Sequence, residues 1–170
     1  MQDPRREYLP KAWTDLWEPM GSPYLNDLSK SEYAVLNLRM RALLGRYKKL
    51  VGDMAQAGVA MLAGTDTNPV NPVLPGWGLH EELALLVDSG LAPMPALQAA
   101  TRNPARYFGR ENQTGTIEAG KAADLVLLDG DPLKNIHNTQ KISAVVMRGR
   151  YYSRVDLDEL LERARKASTR

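Results

Sequence analysis

Apolar residues recur at steps of three and four from Tyr33 to Met54, through Leu36, Met40, Leu43, Leu44, Tyr47, Leu50 and Val51. That spacing places one apolar stripe along a helix of many turns. Ser29 stands where its hydroxyl can cap the first turn, Glu32 completes a capping box three residues later, and Gly58 can close the far end. Val59 to Ala63 is apolar at every position, which suits a strand covered on both faces, as in a parallel sheet. The run ends in GTD. The stretch TDTNPVNPVLPGWG that begins there holds three prolines and no periodicity. A loop of that length in a compact domain is commonly functional or disordered.

Helical patterning returns from Leu79 to Ser89, stopped by Gly90, and again from Pro93 to about Thr101, with proline in the first turn. Asn103-Pro104 opens a short helix that Gly109 closes. From residue 115 the runs GTIEAGKAADLVLLDGDP and ISAVVMRGRYY read as strands and turns. Residues 156–167 are helical, with Asp156 as cap and Glu159 as its box partner. The first 28 residues carry four prolines and no usable period, so they are expected to lie irregularly, with Trp13 and Trp17 as anchors. The chain thus divides into an irregular segment 1–28, a helix-strand-helix region 29–110, a β-rich tail 111–155 and a terminal helix 156–170.

Composition narrows the class. A chain of 170 residues, 44% hydrophobic and 25% charged, can bury a real core. The net charge of +2, with acids and bases mixed, gives no footprint for nucleic acid. The most basic stretch, RMRALLGRYKK at 39–49, follows the helical period and reads as a solvated face. With no cysteine, disulfides, thiolate zinc sites and cysteine nucleophiles are excluded. The polar start MQDPRREYLP lacks the apolar core of a secretory signal, and no stretch approaches the ~18 apolar residues of a membrane span. The expectation is a soluble, cytoplasmic protein without nucleic-acid or membrane partners.

AGVAMLAGTD, PGWGLHEELALLVDSGLAPMPALQAATRNPARYFG, GTIEAGKAADLVLLDGDPLKNIHNT and ISAVVMRGRYY together resemble the carboxyl-terminal part of metal-dependent amidohydrolases, in their imidazolonepropionase-like and Xaa-Pro-dipeptidase-like branch. The resemblance runs from about residue 29 to 160. It implies a (β/α)8 barrel with a small β-sandwich, the GTD motif ending the eighth strand and the tail strands in the sandwich. Asp66 then binds a divalent metal, zinc, or takes a proton from the attacking water. The family's site also draws on a His-x-His pair, a lysine or glutamate and two further histidines from earlier strands. This chain has only His80 and His137. The expected fold is therefore α/β, a truncated (β/α)8-barrel remnant of the last helix-strand-helix units plus sandwich strands and a terminal helix, unable to close as a barrel alone. Buried strand backbone without partners is costly. A homodimer, or pairing with a chain that supplies the missing strands, is expected, and the chain alone is not expected to retain zinc.

Individual residues keep two readings each. Asp66 is either the catalytic and metal-binding carboxylate or an ordinary turn residue. Thr65 and Thr67 are placed to position it and line a substrate site. His80 has Leu83 and Ala84 at the third and fourth positions onward, so no metal pair forms on its helix. It serves either as a base paired with Asp66 or as a residue that orders the loop by hydrogen bonding. Trp77 either lines a substrate pocket or pins the loop, and His137 sits in the polar turn KNIHNTQK. The leading functional expectation is a hydrolase cleaving an amide or ester bond of a small molecule through Asp66. A metal-free esterase using a serine or His80, with no G-x-S-x-G present, and a non-catalytic oligomerising remnant are the alternatives.

Overall fold

The computed structural model describes residues 3–17, 28–69 and 71–168. The order is a 3-10 turn Pro4–Tyr8, then α1 (Lys11–Leu16), α2 (Lys30–Gln56), α3 (Trp77–Asp88), α4 (Pro93–Ala100) and α5 (Arg102–Tyr107). A strand β1 (Leu125–Leu128), a second 3-10 turn Ile136–Gln140, β2 (Ile142–Met147), β3 (Arg150–Tyr152) and α6 (Arg154–Ser168) complete it.

The core forms where α3 and α4 turn back on each other. Leu83, Leu86, Leu91, Ala96, Ala99 and Ile136 make one buried cluster, with Val51, Ala55, Met61 and Ala63 packed against it. Ala96 and Ala99 are fully buried, and their small side chains let α4 close on its neighbours. α2 has the capping box of Ser29 and Glu32 and ends before Gly58, whose φ of 75° suits a residue without a Cβ. Only its last turns dock. Gly52 is the one buried residue of α2, because a Cβ there would meet the carbonyl oxygen of Ser89. Further up, Leu38 is 69% exposed and Met40 and Leu44 also face outward.

The three strands form an antiparallel sheet in the order β1-β2-β3. Leu125 pairs with Val146 and Leu127 with Ala144, and the register slips between Leu127 and Leu128. Arg148 (φ 52°) and Gly149 (φ 76°) make the two-residue turn between β2 and β3, the conformation that matches strand twist in a tight hairpin. Asp124 steadies that turn by accepting from the Arg148 N–H at 2.7 Å.

Four expectations change. Val59–Ala63 forms no ladder with any described strand, since no neighbouring strand lies alongside it. Its burial alternates instead: Met61, Ala63, Thr65 and Thr67 are half-buried, while Ala60, Leu62, Gly64 and Asp66 are exposed. The inner side is held by Ala63 N–H to Ala99 O at 2.9 Å and by Asn103 Nδ2 to Met61 O at 2.9 Å. Secondly, helices and sheet segregate, and among the described residues all strand pairs are antiparallel, so the α/β alternation is not seen. Thirdly, α6 starts earlier than Asp156: Ser153 Oγ accepts from the Asp156 N–H, and Asp156 Oδ2 accepts from the Ser153 N–H at 2.8 Å. The capping serine thus lies three residues upstream of the expected cap. Lastly, part of the segment read as irregular is ordered as the first 3-10 turn and α1; residues 18–27 of it lie outside the described residues.

Candidate functional site

Asp66 ends the alternating segment with φ at 48°, a left-handed conformation that costs a non-glycine residue about 1–2 kcal/mol. Two asparagines of the following loop hold it there. Asn68 Nδ2 and Asn71 Nδ2 both donate to the Asp66 carbonyl oxygen, at 2.9 and 3.1 Å. Asn71 Nδ2 also donates to Asp66 Oδ2 at 2.8 Å, and the Asn71 N–H is fixed by Asn68 Oδ1 at 3.0 Å. Each such bond contributes roughly 0.5–1.5 kcal/mol, enough together to offset the backbone cost. The carboxylate is exposed, with Oδ2 engaged and Oδ1 receiving no hydrogen bond from the described residues.

The loop is tied down from two sides. Trp17 Nε1 donates to Pro69 O at 2.9 Å, and Gly78 admits Val73 Cγ1 into the space a Cβ would fill. Thr65 and Thr67 share a hydrogen bond of 2.9 Å between their hydroxyls, so they brace each other, while Asp66 is held by the asparagines.

His80 lies in the first turns of α3. Its Nδ1 is 3.0 Å from Thr139 Oγ1 in the second 3-10 turn. Burial pushes its pKa below the ordinary value, with Glu81 opposing weakly, so the ring is neutral at pH 7. Asp66 and His80 have separate hydrogen-bond partners, and the structure does not join them in one pair. Trp77 stacks on Tyr8 with ring centroids 5.4 Å apart, and the Arg5 guanidinium sits 5.9 Å above it. Arg5 also reaches Glu81 at 2.9 Å, so the N-terminal turn is fastened to the start of α3 through Trp77. Trp77 and His80 both line a cleft of about 410 Å3 between α3, β2 and α6; Asp66 does not. His137 is exposed in the second 3-10 turn.

Asn68, Asn71 and Thr139 are the residues that sequence reasoning missed. The repeated Asn-Pro of NPVNP carried a signal, since asparagine side chains in loops bind nearby backbone. Thr139 carried none.

A catalytic divalent ion needs about three protein ligands. Among the described residues no group of three or more His, Asp or Glu side chains could hold one. Around Asp66 the nearest partners are amide N–H donors, which suit a carboxylate and repel a cation. The residues present do not by themselves fit a metal.

The family model for the amidohydrolases matches residues 33–151. Among curated proteins, an ochratoxinase of Aspergillus niger is 32% identical over 109 residues, covering 63% of this chain and 22% of that protein. An imidazolonepropionase of Shouchella clausii is 35% identical over 92 residues, 54% of this chain and 20% of its own length. Among solved structures, a Xaa-Pro dipeptidase with bound methionine superposes with a TM-score of 0.56 at 29% identity, over 62% of this chain and 25% of that one. The chain spans roughly a fifth of the length of the curated relatives it matches.

Proposed function

From the premise that this chain belongs to the amidohydrolase family, in the branch of imidazolonepropionases and Xaa-Pro dipeptidases, we propose that it works within a hydrolase that cleaves an amide or ester bond of a small molecule. The observation that carries the reading is Asp66 itself. A charged residue is kept in a strained backbone conformation just after the apolar run at residues 59–63, and two asparagine amides hold it there. Arg148 adopts the same φ region inside a hairpin, whereas Asp66 is held there by side-chain amides of its own loop.

In this reading Asn71 fixes Oδ2 and leaves Oδ1 to accept a proton from a water attacking the substrate carbonyl. The proton passes on to the departing amine or alcohol as the tetrahedral intermediate collapses. Residues 29–110 then correspond to the last helix-strand-helix part of a (β/α)8 barrel, with the three-stranded sheet as part of the adjoining sandwich. The exposed face of residues 59–65, with Val59 and Leu62 each 44% exposed, supports pairing with a second copy or with a chain that supplies neighbouring strands. Any zinc site requires ligands from such a partner.

The test is hydrolysis of N-acyl amino acids, Xaa-Pro dipeptides and p-nitrophenyl esters, with light scattering to record the assembly state. Turnover that falls with Asp66→Ala in a dimer or larger assembly supports the proposal. Turnover that is unchanged in Asp66→Ala contradicts it.

A further inference from the structure

The cleft of about 410 Å3 beside α3 uses none of the groups around Asp66. Trp77, Val145, Leu157 and Leu161 give it apolar walls, and His80, Gln140 and Arg154 are the polar side chains on its lining. Arg154 is already engaged: Nη1 donates to Ile142 O at 2.8 Å and Nε to Asp158 Oδ1 at 3.0 Å. His80 is different. Thr139 Oγ1 donates its single proton to Ile136 O at 2.8 Å, so toward His80 Nδ1, 3.0 Å away, it can only accept. Nδ1 therefore carries the imidazole proton. In the neutral ring, which burial favours, Nε2 is left as a bare acceptor, and no described residue donates to it. The lining thus combines the Trp77 indole, branched apolar side chains, the Gln140 amide and the one fixed lone pair of His80.

We propose that this cleft is a small-molecule site for an aromatic compound bearing one N–H or O–H group, its ring against Trp77 and the leucines of α6 and its donor on His80 Nε2. A volume of this size accommodates a ligand of one to three rings, and a mostly apolar lining with few polar groups is the usual composition of such sites. The tautomer sets the specificity: a guest that can only accept a hydrogen bond has no partner at His80, whereas a donor has one.

The experiment uses the full chain and two probes of nearly the same shape, indole and 1-methylindole, followed by NMR at the Trp77 indole N–H and the His80 ring. The expected result is saturable shifts at both residues, with indole bound about five- to tenfold more tightly, the contribution of one hydrogen bond. In His80→Phe the two probes should bind equally. Leu160→Trp, which fills the cleft from α6, should abolish binding of both, and it carries the test if the His80 variant fails to fold. Equal affinity of the two probes for the parent chain, shifts confined to residues away from the cleft, no saturable shift at millimolar probe, or unaltered binding in Leu160→Trp would each overturn the proposal. Occupation of the cleft by a second copy, seen as dimerisation that excludes indole, overturns it too.

Discussion

Replacing Gly52 by alanine tests how α2 is joined to the rest of the molecule. In an open helix position the change stabilises by about 1 kcal/mol, because alanine loses less backbone freedom than glycine. At Gly52 the new Cβ falls against the Ser89 carbonyl oxygen, with the carbonyl carbon 3.6 Å away. That oxygen belongs to the backbone at the end of α3, where the Ser89 N–H is bonded to Leu85 O at 2.9 Å, so no side-chain rotation can relieve the overlap. Overpacking of this kind costs about 2–3 kcal/mol, at the upper end of its usual range. The net loss is about 1–2 kcal/mol, or a fall in Tm of about 2–8 °C for a chain of this size. Gly45, seven residues earlier on the same helix, has nothing within 4 Å of the position an added methyl group would take, so Gly45→Ala should raise Tm by about 2–4 °C. Thermal unfolding of both variants by circular dichroism decides the matter. If Gly52→Ala raises Tm as Gly45→Ala does, α2 does not pack on the α3 end as described. The segment leading to Asp66, which starts with Val59 N–H on Met54 O, would then lose its anchor.

Three further outcomes follow from particular contacts. Ser153→Ala should cost about 1 kcal/mol by removing the cap of α6, measured by urea denaturation, whereas Glu159→Ala, in an exposed pair with Arg163 at 3.6 Å, should change stability by less than about 0.5 kcal/mol. Equal effects would place the cap elsewhere. His80 is neutral in the folded state and has its pKa below 6.5 there, so the unfolded chain binds the extra proton first on acidification. Its contribution is complete above about pH 6.5 and is lost as the pH falls from there toward the folded value. The urea midpoint should drop over that window in the parent and less in His80→Gln, and parallel curves would refute it. Asp66→Gly should leave stability within about 1 kcal/mol, since relief of the left-handed strain balances the lost Asn71 bond, while Asp66→Val should destabilise by about 1–2 kcal/mol. An equal loss in both would mean that Asp66 is not held in the left-handed region.

What can be read in the residues alone is local. The start of α2 is legible because a capping box lies within four residues, and the strands around MRGRYY because their period and turn are contiguous. Val59–Ala63 reads as a covered strand because an apolar run looks the same whether or not neighbours exist to pair with it. The period-two burial seen here depends on α4, whose Ala99 is 36 positions away from Ala63. The expected start of α6 is displaced because Ser153 and Asp156 form one box and Asp156 and Glu159 resemble another. At the candidate site, Asp66 and Thr65 are legible from GTD, and Trp77 from its position in PGWG. The asparagine pair is hidden among generic loop residues, and the bond of His80 to Thr139 joins positions 59 apart, which no local pattern encodes.

The central claim is that the Asp66 carboxylate takes part in bond cleavage and is not a turn residue. Its most direct test compares hydrolysis by the parent and by Asp66→Asn, which keeps shape and backbone but removes the charge, at matched folded fraction and assembly state. A loss of about a hundredfold or more is expected in Asp66→Asn, with Tm nearly unchanged. Equal rates in the two proteins would contradict it.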